Sequence, residues 1–152
     1  MTKPILYIPV GAPASGKSTW ATLLATKYKH IFIVSRDSIR EMLVGDYSKF
    51  PFGKSYAEDI VTNIVFYSAT ELLEKGYSVI LDETNLNKGR REAQIQTIKD
   101  AVSHDIDVVY NKEFLDVPLE ECIRRDKERD KTIGAKIITG MYNKYLKNEE
   151  SE

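Results

Sequence analysis

A short segment near the N-terminus has the residue types and spacing that bind phosphate. Residues 11–18 fit the pattern GxxxxGK[ST], with Gly11 and Gly16 as its glycines and Lys17 and Ser18 at its end. The glycines allow an anion to approach the backbone, the lysine reaches the outer phosphates of a nucleotide, and the serine hydroxyl holds Mg²⁺. We expect Lys17 to face solvent when no nucleotide is bound. The predicted nucleotide-binding residues of the loop and the helix start after it are Gly11, Ala14, Ser15, Gly16, Lys17, Ser18 and Thr19.

Asp37 and Arg40 lie three residues apart at the start of a predicted helix, so their side chains share one helix face. In a catalytic interpretation, Asp37 is the general base that accepts a proton from an attacking hydroxyl, and Arg40 orients it or binds a phosphate of the acceptor. In a structural interpretation, the helix dipole favours an aspartate in the first turn, and the arginine is a local ion-pair partner. The spacing by itself is compatible with both.

A second acidic pair follows a later apolar run. Asp82 comes directly after residues 77–81, where a carboxylate can order Mg²⁺ through water, so Ser18 and Asp82 are the predicted metal residues. The structural alternative for Asp82 is a turn residue, and Glu83 competes with it for a related role. The polar run 84–87 can form a turn and a helix cap.

Five basic residues fall within eight positions late in the chain: Arg124, Arg125, Lys127, Arg129 and Lys131. They are compatible with a helical lid that closes arginines over ATP. A charge run of this kind is also typical of a solvated helix face. We expect one or two of the five to have a functional role.

Apolar runs of strand length alternate with segments of helical periodicity. The predicted strands are 5–10, 31–34, 77–81 and a segment within 106–115. The predicted helices are 18–28, 37–44, from Ser55 or Tyr56 to Lys75, 87–104, one beginning near Pro118, and 136–146, with Ser35 and Asn87 as caps and Gly76 as a terminator. This order predicts a single domain, 1–152, with an α/β fold of the P-loop NTPase type. Its parallel sheet should have about four to five strands, helices on both faces and a helical lid.

The same patterns predict which surfaces are covered and where the functional side chains meet. The strand 31–34 is expected to be buried on both faces, and the loop 45–54, with its glycine, proline and aromatic residues, is expected to act as a flap. The polar residues that follow the strands should gather at one edge of the sheet. The helix residues expected to face the core include Leu23, Leu24, Ile60, Tyr67, Ala93 and Ile137.

The composition excludes several classes of protein. Apolar residues make up 42% of the chain and charged residues 30%, and no apolar run approaches the length of a membrane span. Without an evident leader segment, we expect a cytoplasmic protein with no membrane partner. A net charge of -1 argues against a protein that coats long nucleic acids, but not against one that binds a short end. Cys122 is interpreted as a partly buried helix residue, and two histidines predict no metal cluster.

Several segments together resemble the kinase domain of the T-even phage polynucleotide kinase family. They are residues 11–20, 36–40, 84–91, 116–118 and the arginine-containing helix, and the resemblance runs from about Ile5 to Leu146. Many nucleotidases and kinases share the phosphate loop, whereas the RDxxR and TNLNxxRR segments are more specific. The resemblance implies an enzyme that uses ATP and Mg²⁺ to phosphorylate 5'-hydroxyl ends of DNA or RNA.

The resemblance also implies roles for individual residues. Lys17, Asp37, Arg40 and Arg129 would be catalytic, with Arg40 on the acceptor phosphate and Arg129 as the lid arginine over ATP. Arg125 and Arg129 would join the nucleotide site, and a one-turn shift of the helix would give the lid role to Arg124 or Arg125. The acceptor site would contain Asp37, Arg40, Glu83 and Thr84. The family has aspartate directly before its Thr-Asn pair, where this chain has Glu83 preceded by Asp82, so either acid is a candidate.

Two other functions are compatible with the same motifs. A P-loop kinase for a small molecule, such as a sugar, an antibiotic or a nucleoside, needs the same loop, base and lid. A nucleotide-dependent switch needs the loop but has no use for a base at Asp37. The sequence leaves open DNA versus RNA and the oligomeric state.

Overall fold

The computed structural model describes residues 3–53, 56–129 and 132–146, which form a four-stranded sheet with helices on both faces. The strands are β1 (Ile5–Pro9), β2 (Ile31–Ser35), β3 (Ser78–Asp82) and β4 (Asp107–Asn111). Their order is β2-β3-β1-β4, and every neighbouring pair is parallel. The predicted α/β fold of the P-loop type is confirmed.

Six α-helices connect and cover the strands of the described chain. They are α1 (Lys17–Lys27), α2 (Arg36–Val44), α3 (Ala57–Glu74), α4 (Lys88–Ala101), α5 (Leu119–Lys127) and α6 (Ala135–Met141). A π-helical turn, Tyr142–Leu146, continues α6. None of the described helices has the length and hydropathy that a membrane span requires.

The predicted helix ends are confirmed by local hydrogen bonds. The side chain of Ser35 accepts from the Ser38 amide at the start of α2, and that of Asn87 accepts from the Arg90 amide at the start of α4. Gly76, with φ of 92°, follows the end of α3. The residue before α3 is Tyr56, and the alternative start, Ser55, lies outside the described residues.

The core lies on both sides of the two central strands. One cluster joins β1 and β3 to α3 and α4, and its fully buried members are Leu6, Ile8, Val61, Val65, Ala69, Leu73, Val79, Leu81 and Ile98. On the opposite face, Ile80 packs with Ile31 and with Ala21 of α1. Burying one large aliphatic side chain stabilises the fold by about 1.5–3 kcal/mol. The packing of these residues therefore holds β1 and β3 in place, and with them the polar residues that follow the carboxyl ends of the two strands.

Several predicted core positions are wrong. Leu23, Ile60, Tyr67, Ala93 and Ile137 are exposed, whereas Val61, Val65 and Ile138 are buried. Each of these helices carries apolar residues on more than one face, and the neighbouring elements cover only one of them. The strand β2 lies at an edge of the sheet, so Phe32 and Ile33 are exposed rather than covered.

Candidate active site

The phosphate loop connects β1 to α1, and its backbone explains both motif glycines. A Cβ on Gly11 would lie 2.6 Å from the Phe114 Cβ and 2.7 Å from the Ser15 Oγ, so no larger residue fits. Gly16 has a φ of 108°, which favours glycine. Ala14 also has a positive φ, 64°, a conformation that is uncommon for a residue with a Cβ and that clusters at ligand sites.

Lys17 does not face solvent, so that expectation is wrong. It is 7% exposed, and its ammonium donates to the Ala12 carbonyl at 2.7 Å and to the Ser15 Oγ at 3.4 Å. Burial lowers the pKa of Lys17 to about 8, although the negative charge of Asp82 acts in the opposite direction. In this structure, loop oxygens therefore accept the hydrogen bonds of the Lys17 ammonium. A bound phosphate could replace them as the acceptor.

Ser18 and Asp82 meet at the end of β3. The Ser18 hydroxyl donates to Asp82 Oδ2 at 2.8 Å. Burial raises the pKa of Asp82, while the Ser18 hydrogen bond and the Lys17 charge oppose the rise. Two oxygen ligands fit a Mg²⁺ site, because this ion keeps several waters and takes further ligands from substrate phosphates. The described residues contain no group of three or more potential His, Cys, Asp or Glu ligands, so phosphates and water would complete the shell.

Asp37 lies at the start of α2 with its side chain half-exposed. Its Oδ1 atom accepts from Arg40 Nη1 at 2.6 Å and from the Tyr47 hydroxyl at 3.0 Å. Burial and the adjacent Asp37 carboxylate raise the pKa of Tyr47 to about 12, so the phenol stays protonated as a donor. Within the described chain, both side-chain hydrogen bonds therefore fall on one carboxylate oxygen.

Arg40 and Arg36 belong to an ion-pair network that includes Glu58 of α3. Glu58 accepts from Arg40 Nε at 3.1 Å and from Arg36 Nη1 at 3.0 Å. Burial alone would raise the pKa of Glu58, but the hydrogen bonds from Arg40 and Arg36 lower it overall. Burial also tends to lower the pKa of Arg40, and the bonds to Glu58 and Asp37 raise it well above its ordinary value.

Glu83 joins this ion-pair network through Arg36. Its carboxylate lies 3.2 Å from Arg36 Nε and accepts from the Gln94 side chain at 3.3 Å. Asp82, one residue earlier, contacts Ser18. The structure thus separates two acids that sequence reasoning left as competitors.

A loop between α2 and α3, residues 45–53, lies over Asp37 and will be called the flap. Asp46 caps a short 3₁₀ turn by accepting from the Ser48 amide at 3.0 Å, which places the Tyr47 phenol against Asp37. The ring of Phe52 contacts the rings of Tyr47 and Phe50, with centroids 5.6 and 5.0 Å apart. Sequence reasoning missed Tyr47, Phe52, Arg36 and Glu58 as site residues. Arg36 lies inside the quoted RDxxR segment, but no spacing rule connects it to Glu58.

A cleft of about 1580 Å³ opens between the flap, α3, α4 and α6. Asp37, Arg40 and Glu83 line it, and so do Pro13 and Asp82, so the cleft extends to the phosphate loop. Thr84 also lines the cleft with its neighbours, and its carbonyl accepts from the Gly11 amide at 3.0 Å.

Asn85 ties together the ends of the two central strands. Its side-chain amide donates to the Pro9 carbonyl at 2.8 Å and to the Leu81 carbonyl at 3.1 Å. The run 84–87 forms the polar turn and helix cap that the sequence allowed. Asn85 therefore holds the phosphate loop and the acidic pair in register with each other.

The basic residues of α5 have different surroundings. Arg125 Nη1 donates to the Ser15 carbonyl of the phosphate loop at 3.2 Å, and its Nε donates to Glu121 at 2.8 Å. Arg124 is exposed and pairs with Glu121 and Glu128. Lys131 lies outside the described residues. Of these residues, Arg125 contacts the loop directly.

Arg129 pairs instead with Asp126, at 2.9 Å from Nη2 to Oδ1. Asp126 is buried and also accepts from the backbone amides of Ile133 and Gly134, at 2.9 Å each, so it connects α5 to the start of α6. The Arg129 charge contributes to the low pKa of Lys17. Cys122 lies in α5 as predicted but is fully instead of partly buried, and burial raises the pKa of its thiol, which disfavours a nucleophilic role.

Comparison with known proteins shows to which family the chain belongs. The AAA domain family model (AAA_33) matches residues 6–140. The chain belongs to this family. It has the α/β fold of P-loop kinases.

Among curated relatives, the chain is 31% identical over 145 residues to the L-seryl-tRNA(Sec) kinase of Methanococcus maripaludis. The match covers 93% of this chain and 52% of that protein, so the chain spans about half the length of this relative.

Three solved structures extend the comparison. A chain of a Pnkp1/Rnl/Hen1 complex is 30% identical with a TM-score of 0.69, covering 82% of this chain and 40% of that chain. A chain of the Pnkp1/Rnl/Hen1 RNA repair complex is 27% identical with a TM-score of 0.79, and the match covers 99% of this chain and 47% of that chain. The APS kinase CysC of Mycobacterium tuberculosis, in complex with AMPPNP and APS, is 22% identical with a TM-score of 0.63, covering 99% and 78%, and shows the fold alone. These matches include kinases with different acceptors, so the specific acceptor of this chain is a proposal.

Proposed function

We propose that this chain transfers the γ-phosphate of ATP to the 5'-hydroxyl end of DNA or RNA. The observation that carries the proposal is the Asp37 carboxylate, held by Arg40 and Tyr47 in a cleft that extends to the phosphate loop. A kinase needs this arrangement, because the acceptor hydroxyl must lose its proton close to the transferred phosphate.

In the proposed reaction, the acceptor oxygen forms a bond to the γ-phosphorus while the bond from that phosphorus to the bridging oxygen breaks. ADP leaves, and Asp37 takes the hydroxyl proton. Lys17 neutralises charge on the phosphates. Ser18 and Asp82 would hold Mg²⁺, which would stabilise negative charge on the phosphate oxygens during the transfer. The proposed lid is α5 with the residues up to Arg129: Arg125 already contacts the loop, and Arg129, which pairs with Asp126 in this structure, supplies a second positive charge.

The structure favours one of the two roles considered for Arg40. Its guanidinium pairs with both Asp37 and Glu58 and its side chain is mostly buried. All three guanidinium nitrogens of Arg40 already donate to these two carboxylates, so we assign Arg40 to orienting Asp37 and not to binding a phosphate. Tyr47 argues against the purely structural interpretation of Asp37. Its hydroxyl donates to Asp37 from the flap, so the contacts of Asp37 are not limited to an ion pair within its own helix.

The nucleic-acid acceptor is supported by the matches at 30% and 27% identity to chains of an RNA repair complex and by the RDxxR and TNLNxxRR segments. The net charge of -1 fits a protein that holds only the end of a strand.

A second candidate acceptor is a serine hydroxyl carried by a tRNA. It is favoured by the 31% identity to an L-seryl-tRNA(Sec) kinase. A small-molecule acceptor, which the same loop and base would serve, is the third.

A labelled-phosphate transfer assay with a panel of acceptors tests the proposal. The panel contains 5'-hydroxyl DNA and RNA oligonucleotides, seryl-tRNA, sugars and nucleosides, with ATP and Mg²⁺ constant. We expect label on the 5'-hydroxyl oligonucleotides and none on the same oligonucleotides carrying a 5'-phosphate. Transfer to seryl-tRNA or a metabolite, with none to any 5'-hydroxyl end, would contradict the proposal.

A further inference from the structure

We propose that Phe52 is the stacking platform for the nucleobase of the acceptor's 5'-terminal nucleotide. This inference rests on the proposed function, because it assigns the part of the acceptor that the cleft binds beside the reacting hydroxyl.

Phe52 is the most accessible aromatic side chain of the cleft within the described residues. It is 53% exposed, although it lies in a cleft and not on a convex surface. The other described aromatic residues that line the cleft are less exposed: Tyr47, Phe66 and Tyr145. An apolar ring left this accessible beside catalytic side chains is available for a planar ligand.

The ring of Phe52 is held in place before any ligand arrives. It packs edge-on against Tyr47 and Phe50, at 5.6 and 5.0 Å between centroids, and Phe50 is itself buried in the core. The Arg40 guanidinium lies 5.2 Å from the Phe52 centroid. Because three neighbours already restrict this side chain, stacking a base on it costs little additional conformational entropy.

One side chain, Tyr47, separates Phe52 from the proposed general base, Asp37. Tyr47 contacts the Phe52 ring, and its hydroxyl donates a hydrogen bond to Asp37 at 3.0 Å. In a nucleotide, the base and the 5'-hydroxyl are attached to the same sugar, so a base on Phe52 and a hydroxyl at Asp37 match one terminal nucleotide. Sugars have no planar aromatic ring, whereas every nucleobase has a π-face, so the site should tolerate any base.

Substrates that differ only in the terminal base test this assignment. Kinetics are measured with a 5'-hydroxyl oligonucleotide and with the same oligonucleotide whose 5'-terminal residue is abasic but keeps its hydroxyl. For the normal substrate, we expect Phe52→Ala to lower kcat/KM by about tenfold, mainly through KM, which is within the range for losing one base stack. Phe52→Trp should retain activity. Wild type should lose a similar factor on the abasic substrate, and Phe52→Ala should lose nothing further there.

Two controls keep the result specific. Phe32→Ala removes an exposed phenylalanine on the edge strand β2, away from the cleft, and should leave both substrates unchanged. Phe52→Leu keeps an apolar side chain for the flap, so a loss confined to the base-containing substrate in this variant separates stacking from loop packing.

The outcomes distinguish failure of the inference from failure of the proposed function. Equal losses on both substrates, or no loss in Phe52→Ala, would overturn the stacking role while leaving the kinase activity in place. If wild type phosphorylates no 5'-hydroxyl oligonucleotide, the proposed function fails and the inference fails with it.

Discussion

The proposed donor side and the proposed acceptor side of this cleft are built in different ways. The phosphate loop is one continuous segment, 11–18, whose backbone and lysine are arranged by contacts within the segment and at the ends of β1 and β3. The acceptor side joins side chains from α2, the flap, α3 and the turn after β3. The first can be recognised from contiguous residues, and the second exists only after distant segments have met.

This difference has an energetic consequence. The proposed acceptor network pairs Arg36 and Arg40 with Glu58 and Glu83, and these side chains are partly buried in the wall of the cleft. Removing one partner of a fully buried ion pair costs about 3–5 kcal/mol, because a charge remains uncompensated, and a partly buried pair should cost less. Variants of the acceptor side should therefore be conservative ones if kinetic effects are to be separated from loss of folding.

The largest expected effect is on the acceptor side, at Asp37. We predict that Asp37→Asn lowers kcat by about 10²–10⁴, the range for losing a general base, while ATP affinity stays nearly unchanged. Asparagine keeps the size of the side chain and remains compatible with a helix start. Steady-state kinetics with ATP and oligonucleotide varied separately would check this, with the exposed acid Asp59→Asn as a control. Wild-type turnover in Asp37→Asn would leave the helix-dipole role as the explanation and shift attention to Asp82 and Glu83.

On the proposed donor side, we predict that Lys17→Met lowers the rate of transfer by about 10²–10³ without unfolding the protein, because one electrostatic contact to the phosphates is lost.

The same variant tests the burial of Lys17. Because burial lowers the pKa of Lys17 to about 8 from 10.5, the unfolded chain binds more protons at this site than the folded chain does between pH 8 and 10.5. The free energy of unfolding of wild type should therefore rise relative to that of Lys17→Met across this window.

Urea unfolding of both proteins at pH 7.5 and pH 10, without nucleotide and with a chelator, measures this difference. A difference that does not change with pH would mean that the lysine has an ordinary pKa and is not held on the loop as described.

A smaller effect is expected where the flap meets the acceptor site. We predict that Tyr47→Phe lowers kcat about tenfold, since one hydrogen bond to a charged group is removed. The Phe52 contact should survive because the ring is kept, and the KM for ATP should not change. Tyr56→Phe, at an exposed tyrosine, is the matched control. An equal loss in both variants would show that the phenol at Asp37 has no special role.

The smallest effect concerns the lid. We predict that Arg125→Ala raises the KM for ATP by up to about fivefold, because Arg125 contacts the phosphate loop but is partly exposed and screened by water. Arg124→Ala, which removes an exposed arginine of the same helix, should change the KM for ATP much less. Should the two variants be indistinguishable, the contact between Arg125 and Ser15 would not contribute to nucleotide binding.

Much of the fold could be predicted because its signals are local. Ser35 and Asn87 cap helices through bonds to amides three residues on, and Gly76 ends a helix where a positive φ is needed. The core-facing side of a helix was less predictable. Val61 and Ile60 are both apolar and adjacent, and only the position of the sheet determines which of them is buried.

The sequence by itself determined the phosphate loop, the alternation of strands and helices, and the Asp37–Arg40 pair, since each depends on residues within a few positions of one another. The tertiary structure decided how Asp82 and Glu83 divide their contacts, because the former meets Ser18 while the latter meets Arg36. Asp82 is the last residue of β3, whereas Glu83 lies in the bend after it, where its amide donates to the Leu81 carbonyl. The order of the strands places β2, which leads into Arg36, beside β3 and so sets the neighbours of the two acids. For the same reason only the fold could bring Tyr47 and Glu58 to Asp37 and Arg40, since loop and helix packing, not sequence spacing, sets those distances.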